Sequence, residues 1–494
     1  MDFLAFDLGA SGGKMFRGAY DGERLRLSPV YDFRNRMIQL GDSLYWDFLG
    51  IYQHMCMGIR KAAHEKPLHS FGVDSFNNDF SLISAQGDML LPIRSYRDPR
   101  TERHRDAIYG QISPERLYSY TGNQIAPFNT FMQLAAMKEE GQGYLLDHAH
   151  RLLFLPDLIG YYLTGEQYTE YSVASETQML DWHGRDWIPH LLDLLKLRED
   201  LFAPIIMPGT VVGPISQAFQ RQHQVPSFSH VAVCEHDTAS AFLSAPLRDN
   251  SAILSCGTWT IIGAENEQPV ITSYGFEHNI ANEGSLPGHH RISYNVMGLW
   301  LIQQLREDYA LGGQPFEYED IKAIALDAPA FQIVINPDDP AFYSPGGMAA
   351  RIINGRLNPA GSADSYEPGA LFRCVYECLA LQYRWALEKI ETLLGRRFDT
   401  ISLIGGGSQD EVLCQFTADA TNRPVIAGPV QASSVGNMLV QMLAHGEIGD
   451  IHQGREIVRQ SFRLQEYFPS DTALWQEQYQ RFLALVHAQE AVKG

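Results

Sequence analysis

MDFLAFDLGASGGKMF (residues 1–16) is an apolar run with an aspartate near its end, a glycine-rich turn and a second apolar run. Read as strand, turn and strand, it sets one carboxylate, Asp7, beside a loop (Ala10 to Lys14) whose backbone N–H groups can face an anion. Beyond it, KMFRGAYDGERLRLS alternates around Asp21-Gly22, a strong hairpin signal. A Walker A loop would need one more residue between its glycines, a hydroxyl residue where Met15 stands, and a helix afterwards. The unit is therefore strand–turn–strand. Two readings stay open locally: a phosphate turn with a metal-side aspartate, or an ordinary hairpin with an exposed Asp.

The pattern recurs near the middle of the chain. AILSCGTWTIIG (252–263) again enters a small-residue turn, Ser255 to Thr258, and leaves on a second apolar run. Two such turns, one in each half, suit a nucleotide held between two related domains. Thr258 could offer a hydroxyl and an N–H to a terminal phosphate, or could simply stabilise its own hairpin.

Size and charge bound the answer. A chain of 494 residues exceeds one typical core, and length predicts two or three domains. With 45% apolar and 19% charged residues it is globular rather than disordered. A net charge of −20 argues against non-specific nucleic-acid binding and against anionic membranes, while leaving ATP possible through local donors and Mg²⁺. No run of 18 apolar residues and no signal-peptide pattern is present. The six cysteines contain no C-x-x-C pair, and Cys374 and Cys378 share a helical face without further zinc ligands in view. A reducing cytoplasmic location is expected, with a monomer or homodimer as the assembly.

Along the chain, SFGVDSFNNDFSLI (70–83) reads as one strand-like stretch and LLFLPDLIGYYLTG (152–165) as a buried helix ending at Gly165. Val231 to Cys234 is a short apolar strand delivering Glu235-His236-Asp237-Thr238 to a helix of small residues. Leu371 to Leu394 is a long amphipathic helix. ISLIGGGSQDEVLCQFTADATN (401–422) reads as strand, three glycines and helix, and Ala432 to Ala444 as a further helix. Residues 455–494 read as strand then helix.

Asp237 is the strongest catalytic candidate, because a carboxylate after a strand can accept a proton from an attacking hydroxyl. The competing reading is a helix N-cap, for which Asp is favoured. Gly405 and Gly406 permit close backbone approach to a nucleotide beside a helix N-terminus. Asn295 and Gln303, in YNVMGLWLIQQ, are eight apart and could project from one helix face.

The order of these elements resembles the FGGY carbohydrate kinases, in the actin, chaperone and hexokinase ATPase superfamily, and within them the rhamnulokinase branch. The likeness rests on FDLGASGGK (6–14), Trp46-Asp47, YRDPRT (96–101), PFNT (127–130), LPDLIGYYLTGE (155–166) and EHDTASA (235–241). It continues in LSCGTW (254–259), NEG (282–284), NVMGLWLIQ (295–303), NPDDPAF (336–342), IGGGSQ (404–409) and AGPVQASSVGN (427–437). The resemblance implies an α/β, two-domain, actin-like ATPase fold of ribonuclease H type with an interdomain catalytic cleft. Its implied domains are 1–245 and 246–455, with a C-terminal tail over 456–494.

By the same resemblance the protein transfers phosphate from ATP to a ketose, rhamnulose-like, at the C1 hydroxyl. Asp237 is implied as general base, with sugar contacts at Asn77, His236, Thr238 and Asn295. Ala10, Ser11, Gly12, Gly13 and Lys14 are implied as the first phosphate loop, Asp7 as the residue near Mg²⁺, Thr258 as the second phosphate contact, Gln303 as a nucleotide contact, and Gly405 with Gly406 at the adenosine. Two departures stand out: Lys14 where the branch usually has Arg, and SFNND (75–79) where it usually has Thr-Trp-Gly-Val-Asp. An amide at Asn77 in place of glycine removes space and adds donors, predicting a shifted sugar preference. Other ketoses (fuculose, ribulose, a 5-deoxypentulose) and a non-catalytic nucleotide- or sugar-binding regulator are the alternatives.

Overall fold

The computed structural model describes residues 1–183, 185–355 and 366–493, which form two α/β units. The first comprises 1–244, 265–292 and 432–462, and the second 245–264, 293–431 and 463–494. Both are discontinuous in sequence. A contiguous division at 245 and 455 therefore misses two returns of the chain to the first unit, and the expected tail at 456–494 is shared by the two units, which divide it after 462.

In the first unit a six-stranded sheet runs in the order Thr210–Pro214, Ser229–Ala232, Ser70–Ser75, Asp2–Gly9, Gly12–Tyr20, Leu25–Arg34. Its three inner strands are parallel, while Asp2–Gly9, Gly12–Tyr20 and Leu25–Arg34 form an antiparallel meander. Parallel strands covered on both faces need side chains that are apolar in succession. Phe3, Leu4, Ala5 and Phe6 are all fully buried. The helix Ala432–Ala444 packs on this sheet and against the helix Asp237–Leu243.

The second unit repeats the plan. Within a seven-stranded sheet, Trp259–Asn266, Ser251–Cys256, Thr400–Ile404, Val425–Ala427 and Gln465–Tyr467 are successive neighbours, the middle three parallel and the pairs on either side of them antiparallel. The helix Pro368–Leu394 spans 27 residues and ends at Gly395 in the left-handed region, as its sequence predicts. All six cysteines are buried free thiols. Among the described residues no helix is long and apolar enough to cross a membrane.

Three local expectations are corrected. The stretch 70–83 is two strands, Ser70–Ser75 and Phe80–Ile83, and the second pairs with Arg151–Phe154 outside the main sheet. Asn78, with φ of 72°, turns the chain between them. Residues 152–154 accordingly belong to a strand, and the helix is Leu155–Thr164, with Pro156 in its first turn. The C-terminal order is helix Ile451–Ser461, strand Gln465–Tyr467, helix Thr472–Lys493, so a helix precedes the expected strand. Residue 494 lies outside the described residues.

A buried ion pair anchors a returning segment to the first unit. Arg455 donates to both carboxylate oxygens of Glu265, at 2.5 and 3.0 Å, and to the Phe242 carbonyl at 3.3 Å. Burial alone would raise the Glu265 pKa, but Arg455 and His289 outweigh it and hold the group at about 2. A depressed carboxylate stabilises the fold fully above its unfolded pKa and loses that contribution as pH falls through the folded value. Glu265→Gln is therefore expected to destabilise by about 3 kcal/mol at pH 7. The gap to wild type should narrow by roughly 1 kcal/mol at pH 4. Urea midpoints of both proteins from pH 8 to 4 measure it, and a gap independent of pH would remove this pair from the acid response.

Candidate active site

In the first unit the chemistry-bearing groups gather at the C-terminal ends of the parallel strands, where open α/β sheets bind ligands. Register does the gathering. Asp7 lies opposite Asp74 across the parallel pair and opposite Lys14 across the hairpin. The next strand over, Ser229–Ala232, leads into the helix that Asp237 begins.

The hairpin is a two-residue turn, Ala10-Ser11, with Gly9 facing Gly12. Gly12 has to be glycine: a Cβ there would sit 2.4 Å from the Phe33 carbonyl oxygen. Gly13 is packed between the rings of Phe6 and Phe33 in the same way. This pinched turn, with exposed Ser11 at its tip and exposed Lys14 beside it, is the place where the sequence puts its expected anion-facing loop.

Three carboxylates influence one another here. Burial first, and then the negative charge of Asp237, raise the Asp7 pKa to about 7 against the opposing pull of Lys14. Asp74 is fully buried, and burial with the charges of Asp7 and Asp237 lifts it well above the carboxylate range. One Asp74 oxygen accepts from Asn437 Nδ2 at 2.6 Å, while Oδ1 is buried with no hydrogen-bond partner. Asn437 is held in turn by Gln441, whose side-chain oxygen accepts from Ser70 at 2.7 Å. An orphaned carboxylate oxygen beside two more acids suits a nearby cation. Among the described residues no group of three or more His, Cys, Asp or Glu could alone hold a metal, so most ligands of such an ion would come from substrate and water.

Asp237 does not cap its helix. His236 occupies the N-cap position without a side-chain capping bond, and Asp237 is the first helical residue. Its carboxylate is 28% exposed and accepts from Thr238 Oγ1 at 3.0 Å. His236 is buried, its Nε2 is 3.5 Å from Asp237 Oδ1, and its Nδ1 meets Arg291 at 2.9 Å. Burial and the guanidinium lower the His236 pKa to about 4, so the ring is neutral at pH 7.

Asn77 is half-buried, and its amide is already engaged. It accepts from Asn78 at 2.8 Å and bonds the Glu176 carboxylate. Asn78 itself is tied to Thr130 through both its side chain and its carbonyl. An aromatic group adjoins this loop: the rings of Trp46 and Phe76 lie 4.5 Å apart, and Tyr96 lies about 6 Å from both. Trp46 is fixed by donating to the buried Asp79 at 2.6 Å.

In the second unit Thr258 and Gly405 again stand at the ends of neighbouring parallel strands. The Thr258 turn is braced by its backbone: its carbonyl accepts from Gly298 and Trp300 N–H, each at 3.2 Å, and Leu299 N–H bonds Gly257. Those residues open the helix Trp300–Leu311 that carries half-buried Gln303. Gly405, at φ 84° and ψ −166°, lies in a region open essentially to glycine alone, and a Cβ would meet the Cys256 carbonyl at 3.0 Å. Gly406 has open space around it.

The structure thus gathers Asp7, the 10–14 turn, Asn77, His236, Asp237 and Thr238 in one unit, and Thr258, Gln303, Gly405 and Gly406 in the other. Asn295 is corrected: it is exposed on the strand His290–Met297 and shares no helix face with Gln303. Sequence reading missed Asp74, Glu176, Arg291 and Glu283. A second apolar run ending in aspartate, FGVD (71–74), was the available signal for Asp74, and the NEG motif (282–284) holds Glu283 without showing its role; nothing local marks Glu176 or Arg291.

Family models describe both halves of the chain. Residues 38–244 match the N-terminal domain of the FGGY family of carbohydrate kinases, and residues 252–445 match its C-terminal domain. A rhamnulokinase of Bacteroides thetaiotaomicron is 34% identical over 97% of this chain and 98% of its own. One of Oceanobacillus iheyensis is 36% identical over 94% and 97%. Among solved structures, a ligand-bound xylulose kinase from Lactobacillus acidophilus superposes with a TM-score of 0.83 at 16% identity, covering 99% of this chain and 98% of that one. Plasmodium falciparum glycerol kinase with ADP gives 0.78 at 14% identity, covering 100% and 97%.

Proposed function

We propose that this chain, which belongs to the FGGY family of carbohydrate kinases and phosphorylates a sugar with ATP, acts on rhamnulose at the C1 hydroxyl. The observation that carries the mechanism is the half-exposed carboxylate of Asp237, set beside Asp7 and Asp74 and not consumed in capping its helix. Asp237 accepts the C1 proton as that oxygen attacks the γ-phosphorus in line, and ADP leaves. Lys14, the 10–13 amides and Thr258 offer donors to the transferring charge, while Gln303, Gly405 and Gly406 receive the nucleotide. Asp7 would hold Mg²⁺, through water; the ion supplies neutralisation of phosphate charge. His236, Thr238, Asn77 and Asn295 are the sugar-side groups, with Trp46, Phe76 and Tyr96 as an apolar wall suited to a deoxysugar methyl. A cytoplasmic site of action fits this use of ATP.

Relatives named rhamnulokinase over nearly the whole chain do not favour another ketose or a non-catalytic regulator. Of the two grounds for a shifted preference at Asn77, the added donors are already met; the space the side chain takes is left for a ketose panel to test. The Asn77 amide bonds Asn78 and Glu176 and is not left as an unpartnered donor. A coupled ADP-release assay with ATP, Mg²⁺ and a panel of ketoses tests the reading. Rhamnulose is expected to give the highest kcat/KM; a tenfold higher value for fuculose, ribulose or a 5-deoxypentulose would overturn it, as would ADP release indifferent to sugar.

A further inference from the structure

Arg291 is the largest fully buried side chain of the first unit, and the mechanism above gives it no task. Its Nη2 lies 2.8 Å from Glu176 Oε1, 3.1 Å from Glu283 Oε2 and 2.9 Å from His236 Nδ1. A guanidinium carries five N–H donors and no acceptor. Nδ1 must therefore be the acceptor in its bond with Arg291. Glu176 Oε1 also lies 2.9 Å from Nδ1 and itself accepts from Nη2 at 2.8 Å; Nη2 has two protons, enough for Glu176 and for Nδ1, and the spectra below decide between this arrangement and Nδ1–H donating to Glu176. With Nδ1 unprotonated, the single proton of a neutral imidazole sits on Nε2, the atom that faces Asp237 Oδ1.

We propose that Arg291 is a positioning residue for phosphoryl transfer: by donating to Nδ1 it locks His236 as the neutral Nε2–H tautomer, which presents a hydrogen-bond donor beside the general base. Two consequences follow for the reaction. His236 cannot take the sugar proton in place of Asp237, because its free lone pair is occupied. Its Nε2–H instead faces the Asp237 carboxylate at 3.5 Å, longer than a good hydrogen bond, so a sugar hydroxyl that bonds Asp237 from the side could accept it. Glu176 links the arrangement to the sugar side by binding both Arg291 and Asn77. The charged groups around the ring are Arg291, Glu176, Glu283 and Asp237, so the guanidinium is balanced without help from His236.

The proposal rests on the kinase reading for its purpose but not for its test. Imidazole ¹⁵N spectra of the full-length protein, with the His236 signals identified by their loss in His236→Gln, report the tautomer without any turnover. Wild type is expected to show unprotonated Nδ1 and protonated Nε2 from pH 6 to 8; protonation at Nδ1 would overturn the assignment. Arg291→Lys, which can only donate, is expected to keep the tautomer and stay within tenfold of wild-type kcat. Arg291→Gln, whose amide oxygen can accept from Nδ1–H, is expected to show the other tautomer and lose at least 30-fold in kcat with the KM for ATP unchanged. An Arg291→Gln protein that loses activity with the tautomer intact would make Arg291 a structural brace and sink the proposal. Should that variant fail to fold, the wild-type spectrum still decides.

Discussion

Asp237→Asn is expected to remain folded and to lower kcat by roughly 10²–10⁴-fold, the scale of general acid–base help. Asn keeps the shape and the bond from Thr238 but has no basic lone pair for the sugar proton. Folding should survive because Asp237 does not cap its helix and is partly solvated. The charge removed is one that raises the pKa values of Asp7 and Asp74. The variant is thus expected to melt at or slightly above the wild-type temperature, the opposite of a damaged core. Single-turnover kinetics alongside thermal unfolding measure both halves of the claim. A loss in kcat below threefold, with folding intact, would take Asp237 out of the mechanism.

Gly436→Ala is expected to be the most damaging single methyl group in the first unit. A Cβ at 436 would lie 1.7 Å from the Ser240 carbonyl oxygen and 2.6 Å from its carbon, both rigid backbone atoms. The two helices must separate, and overpacking of this kind costs about 3 kcal/mol or more. Activity should suffer beyond the stability loss. Ser240 is in the helix that begins at Asp237, and Asn437, next to the clash, holds Asp74 at 2.6 Å. The melting temperature should fall by several degrees and kcat should drop in whatever protein remains folded. A melting temperature within a degree of wild type would show that the helices can shift freely.

Much of this was legible from residues alone. An apolar run, an aspartate and a tight glycine turn dictated the hairpin at 1–16, because both faces of a central strand must be apolar and the glycines let the chain turn tightly at its end. The same logic found the Thr258 turn, the Gly405–Gly406 approach and the Asp237 helix start, all local devices whose signals lie within a dozen residues. Errors came where a local pattern was ambiguous. SFGVDSFNNDFSLI has strand character throughout, and only the left-handed Asn78 and its bonds to Thr130, 52 residues away, divide it. The strand at Arg151–Phe154 was hidden in an apolar run that reads equally as helix.

What the sequence determined by itself is therefore the kind of element at most points: tight glycine turns after apolar strands, a carboxylate at a helix start, and glycines where backbones approach closely. The tertiary structure alone decided which charges meet. Strand register set Asp7 against Asp74, a returning helix placed Asn437 beneath them, and Arg291 reached His236 across 55 residues of chain. Electrostatic coupling depends on distance through space and on burial, and neither is written in spacing along the chain.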